Sequence, residues 1–132
     1  MKKVIAMLAS VLLLAGCASG ATGVTNMNVE DFSKKTAESG VVILDVRTPG
    51  EFMTGHIQDA QNIDFESGSF ESQIESLDKN GTYAVYCRSG NRSGQAVKVM
   101  HDAGFHNVYN LNGGVIDWAN AGLPLVLSLI HI

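Results

Sequence analysis

"YAVYCRSGNRSGQAVKVM", Tyr83–Met100, joins an apolar run to a helix-like run through a short loop rich in small, polar and cationic residues. Thr82–Cys87 is nearly continuous in apolar residues, the pattern of a strand covered on both faces. Ala96, Val97, Val99, Met100 and Ala103 then recur at helical spacing, which predicts a helix from about Asn91 to Ala103 ended by Gly104. The same alternation extends both ways. Upstream, Asn28 caps an expected helix over about Glu30–Glu38, Gly40 stops it, and "VVILDV" (Val41–Val46) reads as another doubly buried strand. "RTPGEF" breaks that strand, and a short helix is expected to begin within Glu51–Thr54. Ala60–Phe65 reads as a brief strand, and Phe70, Ile74 and Leu77 mark a helix that ends at Asn80–Gly81. Downstream, Asn107–Leu111 is expected as a strand and Gly113–Gly122 as a last short helix with Trp118 turned inward. Strands alternating with helices at this spacing predict an α/β fold with right-handed crossovers and a mostly parallel sheet. Ligand sites in such sheets lie at the carboxyl ends of the strands, and Cys87 ends one.

Length and composition agree with one folded unit. The chain has 132 residues, 45% apolar and 17% charged, which excludes a disordered chain and leaves room for a single core. No repeat of solenoid period is present. The formal charge is −4, with no basic stripe interleaved with aromatics, so a nucleic-acid partner is not expected.

The N-terminus reads as a targeting segment. "MKKVIAMLASVLLLAGC" places two lysines before an apolar run, Val4–Leu14, that is shorter than the ~20 residues of a membrane span. "LAGC", Leu14–Cys17, resembles the bacterial lipobox, in which the cysteine becomes the lipid-modified first residue. The alternative is an ordinary signal peptide cut within "ASGAT". Ala18 after the cysteine implies, by the same resemblance, outer-membrane sorting, so a cell-envelope protein facing the periplasm is expected. Residues 1–17 are thus assigned to the leader and its lipid-bearing Cys17, 18–27 to a flexible tether, and 28–126 to the folded domain. Loss of residues 1–16 removes Lys2 and Lys3, leaving 9 − 2 = 7 basic against 13 acidic side chains, a formal −6. "LSLIHI", Leu127–Ile132, reads back with permitted codons into a transposon-end adapter used in sequencing libraries. Those residues are not expected to belong to the folded domain.

With Cys17 carrying lipid, Cys87 is the only thiol of the domain, and an internal disulfide, a CxxC pair or a zinc cluster cannot be built. Reactivity or plain burial remains as the reason for its presence. The loop after it favours reactivity. The first turn of a helix offers unpartnered N–H groups and a positive dipole end, and a tight loop there forms a nest for an anion. Gly90 supplies unusual dihedrals, Ser89, Asn91 and Ser93 supply polar groups, and Arg88 and Arg92 supply positive charge. A cysteine so placed is expected to have a lowered pKa and to meet an anion as the thiolate.

Three ordered stretches resemble the rhodanese (sulfurtransferase) family. "LDVRTPGEFMTGHIQDAQNI" is similar to its first signature, "VYCRSGNRS" to its active-site loop, and "LNGGVIDWANAGLP" to its closing segment. One departure is "GHIQDA", where the family often has Pro-Gly; Gln58 and Asp59 are expected to loosen that turn. The resemblance implies a three-layer α/β/α sandwich with about five strands. It also implies that Cys87 takes a sulfur atom from a small anionic donor such as thiosulfate. The resulting persulfide passes it to cyanide or to a thiol, on a small molecule or a protein. Arg92 would hold the sulfonate end, Arg88 would sit at the rim, and N–H groups from Arg88 to Ser93 would stabilise the persulfide. No cofactor and no metal is implied. Phosphatase relatives of the fold separate Cys and Arg by five residues; here four separate Cys87 from Arg92, which argues against phosphate chemistry. A module that binds an anion or partner without turnover remains the other class of reading.

Supporting roles are expected for the remaining polar residues. Arg47 and Glu51, at i,i+4 spacing, are expected to pair, and Asp45 to accept loop N–H bonds. His56 reads as a hydrogen-bonded structural residue, His101 and His106 as helix-end and loop residues, and Trp118 as core.

Overall fold

The structure, a computed structural model, describes residues 24–127. The leader with Cys17 and all but Leu127 of the tail lie outside them. Five strands form one sheet: β1 (Val24–Met27), β2 (Val41–Asp45), β3 (Gln61–Asn62), β4 (Thr82–Tyr86) and β5 (Asn107–Leu111). Their order is β1-β5-β4-β2-β3, and every pairing is parallel. The helices are α1 (Val29–Thr36), α2 (Pro49–Met53), α3 (Phe70–Ile74), α4 (Asn91–Asp102) and α5 (Gly114–Asn120).

Side-chain alternation along the central strands divides the core in two. Leu44, Tyr83, Val85, Cys87 and Val108 face one side, where α3 and α4 contribute Phe70, Ile74, Ala96, Val97 and Met100. Ile43, Ala84, Tyr86 and Leu111 face the other, against Phe32 of α1 and Val115 and Trp118 of α5. The result is the three-layer sandwich expected, and the parity of β4 carries Cys87 onto the α4 side.

Local differences from the expectations have identifiable causes. Residues 24–27, read as part of the tether, form the edge strand β1, in register with Val108–Leu111. The pairing is reinforced by Asn110 Nδ2 donating to Asn26 Oδ1 at 2.9 Å. Helix α2 starts at Pro49 rather than Glu51, because Thr48 caps it. Thr48 Oγ1 accepts from Glu51 N–H at 3.3 Å, and Glu51 Oε1 accepts from Thr48 N–H at 3.2 Å. Strand β3 shrinks to two residues, since Asn62 turns its amide onto the Asp45 and Arg47 carbonyls at 3.0 and 2.9 Å. The turn at Gln58–Asp59 is closed rather than loosened: Ala60 N–H reaches Ile57 O at 3.0 Å. Asp59 takes the left-handed conformation there (φ 71°) that a glycine would adopt freely.

Candidate active site

Strand β4 delivers Cys87 to the carboxyl end of the sheet, and the chain turns at once into α4. The thiol is a free cysteine with 1% exposure. Gly90 N–H donates to its Sγ at 3.1 Å and Ser93 Oγ–H at 3.4 Å. Burial pushes the thiol pKa up and is the largest single influence. Together the Ser93 hydroxyl and the Ser93, Gly90 and Ser89 backbone N–H groups outweigh it, so the pKa lies below the ordinary value. A thiol sealed in hydrocarbon would shift the other way. The loop is therefore an amide cradle for a negative sulfur.

The loop owes this shape to a segment that is distant in sequence. Val115 N–H donates to Cys87 O at 2.9 Å and Ile116 N–H to Arg88 O at 3.2 Å. The first amides of α5 thus hold the Cys87 and Arg88 carbonyls away from the sulfur, which leaves the Ser89 N–H turned inward. The contact is so close that two positions require glycine. A Cβ on Gly90 (φ 100°) would run into the Asn112 carbonyl, and one on Gly114 (φ 66°) into the Arg88 carbonyl. Sequence reasoning missed Asn112, Val115 and Ile116 as parts of this cradle; the signal available was the Gly113–Gly114 pair.

The other expected site residues separate into two groups. Ser93 is buried against the sulfur, while Arg88 and Ser89 are exposed at the rim. Asn91 is exposed, and its Oδ1 accepts from Gln95 Nε2 at 2.9 Å along α4 instead of facing the thiol. Arg92 is not free to hold an anion. Its guanidinium makes a two-pronged pair with Glu51 at 2.8 and 3.0 Å, and its Nη1 lies 3.6 Å from Glu66 Oε1. The Arg92 hydrogen bonds hold the Glu51 carboxyl at about 2, well below the carboxylate range, despite partial burial.

Arg47 does not pair with Glu51. It instead grips Asp45, two residues back, with Nη2–Oδ2 at 2.6 Å and Nε–Oδ1 at 2.9 Å; Nη2 also donates to Gly55 O at 2.7 Å. Asp45 accepts the Arg47 backbone N–H at 3.0 Å, as its strand-end position predicts. This pair is buried beside Tyr86, whose hydroxyl accepts Ile57 N–H at 3.0 Å, so it ties β2 and β4 to the 55–57 turn. His56 is structural: its ring stacks on Phe52 at 3.8 Å, and Nδ1 lies 3.0 Å from Phe52 O. His101 Nδ1 lies 3.4 Å from Phe105 O, and His106 is exposed. Trp118 is buried in the core, with Nε1 donating to Pro124 O at 2.8 Å.

The rhodanese-like domain family matches residues 28–121, which span β2 through β5 and the whole cradle. This chain belongs to the rhodanese-like family. A protein of Allochromatium vinosum named sulfurtransferase is 36% identical over 104 residues, 78% of this chain and 95% of its own length. The thiosulfate sulfurtransferase PspE of Escherichia coli is 36% identical over 70 residues, 53% of this chain and 67% of its own. Among solved structures, a rhodanese-related protein from Thermoplasma volcanium superposes with a TM-score of 0.70 at 31% identity, covering 79% of this chain and 99% of that one. This rhodanese-like chain therefore shares its fold with a rhodanese-related structure and 36% of its aligned residues with two proteins named sulfurtransferases.

Proposed function

We propose that the protein is a sulfurtransferase that carries sulfane sulfur on Cys87. The carrying observation is the buried sulfur whose pKa is depressed by the Ser93 hydroxyl and by inward N–H groups despite desolvation. The thiolate attacks the outer sulfur of thiosulfate, the donor's S–S bond breaks, and sulfite leaves with the electron pair. The Cys87 persulfide anion occupies the amide cradle, where the Ser89, Gly90 and Ser93 N–H groups face its charge. Cyanide or a thiolate then attacks the outer sulfur, departs as thiocyanate or RSS⁻, and regenerates the thiolate. Arg88 at the rim meets the donor, and Arg92, paired with Glu51 and Glu66 in the resting site, joins it when a carboxylate gives way, while Asn91 shapes the first turn of α4.

Mass spectrometry of the intact protein after thiosulfate treatment tests this reading. A gain of one sulfur on Cys87, discharged by cyanide and absent in Cys87→Ser, is expected. No gain at any pH favours the module that binds without turnover. Steady-state assays should show Cys87→Ser inactive and Arg92→Ala weakened mainly in donor affinity; an active serine variant rules the mechanism out. The envelope anchoring read from residues 1–17 belongs to the same proposal. Labelled palmitate should appear on Cys17 in growing bacteria and be absent from Cys17→Ala.

A further inference from the structure

The sulfurtransferase reading of Cys87 leaves the donor's charge open, and the surroundings of Arg92 bear on it. Arg92 stands in the first turn of α4 beside Ser93, whose hydroxyl meets the Cys87 sulfur, so it flanks the cradle. Two carboxylates already compete for it. Glu51 belongs to the α2 capping box and is fixed there by Thr48. Glu66 differs: its side chain is 57% exposed, it follows β3 on an irregular segment, and its backbone N–H donates to Asp64 Oδ1 at 2.8 Å. One guanidinium facing two carboxylates has no unmatched positive charge to offer a donor. A thiosulfate dianion must displace Glu66 or accept its repulsion before it can use Arg92. A hydropersulfide carries at most one negative charge and needs only the amide cradle.

We propose that Glu66, held 3.6 Å from Arg92 Nη1, is a specificity residue that disfavours dianionic sulfur donors at Cys87 and favours hydropersulfides of low net charge. The chemistry on such a donor balances without a further reagent. The Cys87 thiolate attacks the outer sulfur of RSSH, the donor's S–S bond breaks, and RS⁻ leaves with the electron pair. The Cys87 hydropersulfide remains.

Sulfur loading of Cys87, followed against donor concentration, tests the inference with thiosulfate, a dianion, and with the hydropersulfide of 2-mercaptoethanol, which carries at most one negative charge. Glu66→Gln should lower the half-saturating thiosulfate concentration about two- to five-fold, the range of an exposed charge pair, with the maximal rate unchanged. The hydropersulfide dependence should move less than that of thiosulfate. The thiosulfate difference should fade at about 1 M salt, where screening reaches about 3 Å. Glu38→Gln removes an equal charge just before the amino end of β2, the opposite end of the sheet, and should change neither donor. An unchanged thiosulfate dependence in Glu66→Gln, an equal shift for both donors, or the same shift in Glu38→Gln overturns the inference while the sulfurtransferase reading stands. Absence of sulfur on Cys87 from either donor overturns both.

Discussion

Removing the Ser93 hydroxyl isolates one contribution to the thiolate. Ser93 Oγ–H reaches Cys87 Sγ at 3.4 Å from the first turn of α4, where the side chain is fully buried. A hydrogen bond to a charged group contributes about 1.5–3 kcal/mol, and the length of this one places it at the lower end. At 1.36 kcal/mol per tenfold, Ser93→Ala should reduce the thiolate fraction about tenfold at any pH below both midpoints. The Gly90 N–H, at 3.1 Å, and the backbone N–H of residue 93 remain in the variant, and alanine suits a helix. The assay is titration of ultraviolet thiolate absorbance, with Cys87→Ser as the blank. It does not depend on any sulfur donor.

The same contact sets a stability dependence whose sign is fixed by the lowered pKa. A thiol with a folded pKa below its unfolded one stabilises the fold fully above the unfolded pKa, near 9.0, and this is lost as pH falls through the folded pKa. Urea unfolding should therefore show Ser93→Ala losing most relative to wild type above pH 9.0 and least in acid. A thiolate titration that superimposes on wild type, in a variant with native circular dichroism, refutes the account of the cradle.

Three other outcomes follow from separate features. Gly90→Ala forces a side chain into a left-handed position against the Asn112 carbonyl, and should lose more than about 2 kcal/mol in urea unfolding; wild-type stability would show that the two loops are not in contact. Glu51 has a folded pKa of about 2 against 4.5, so its contribution is complete above 4.5 and lost as pH falls through about 2. The stability difference between wild type and Glu51→Gln should accordingly narrow across that window in thermal melts, and a constant difference would contradict the pairing with Arg92. Asp59→Gly relieves a positive φ on the 57–60 turn and should raise stability by up to about 1 kcal/mol, less the entropy that glycine loses; a drop would mean that the aspartate side chain holds the turn.

The elements that could be read from sequence are those fixed by local pattern. The buried runs at Val41–Val46 and Thr82–Cys87 and the apolar stripe of α4 announce a parallel sheet without reference to partners. Strand β1 escapes because four residues flanked by small polar ones have no periodicity of their own. What makes them a strand is β5, whose Asn110 meets Asn26 across 84 positions. The i,i+4 rule failed for Arg47 and Glu51 because it assumes a helix through both. Thr48 caps α2 between them, so Arg47 turns back to Asp45 while Glu51 reaches Arg92, 41 positions away.

The same division runs through the cradle itself. Cys87, Gly90 and Ser93 lie in one quoted stretch, and their chemistry was legible there. Their geometry was not, since it depends on α5 lending its first amides to the Cys87 and Arg88 carbonyls. A carbonyl and an amide of one peptide point in opposite directions, so fixing the Arg88 carbonyl outward turns the Ser89 N–H toward the sulfur. Gly114 permits that approach, because any Cβ there would strike the Arg88 carbonyl. The lowered pKa of the thiol is therefore a property of two loops closed on each other, and a change at Gly114 should alter it although residue 114 lends no hydrogen bond to the sulfur.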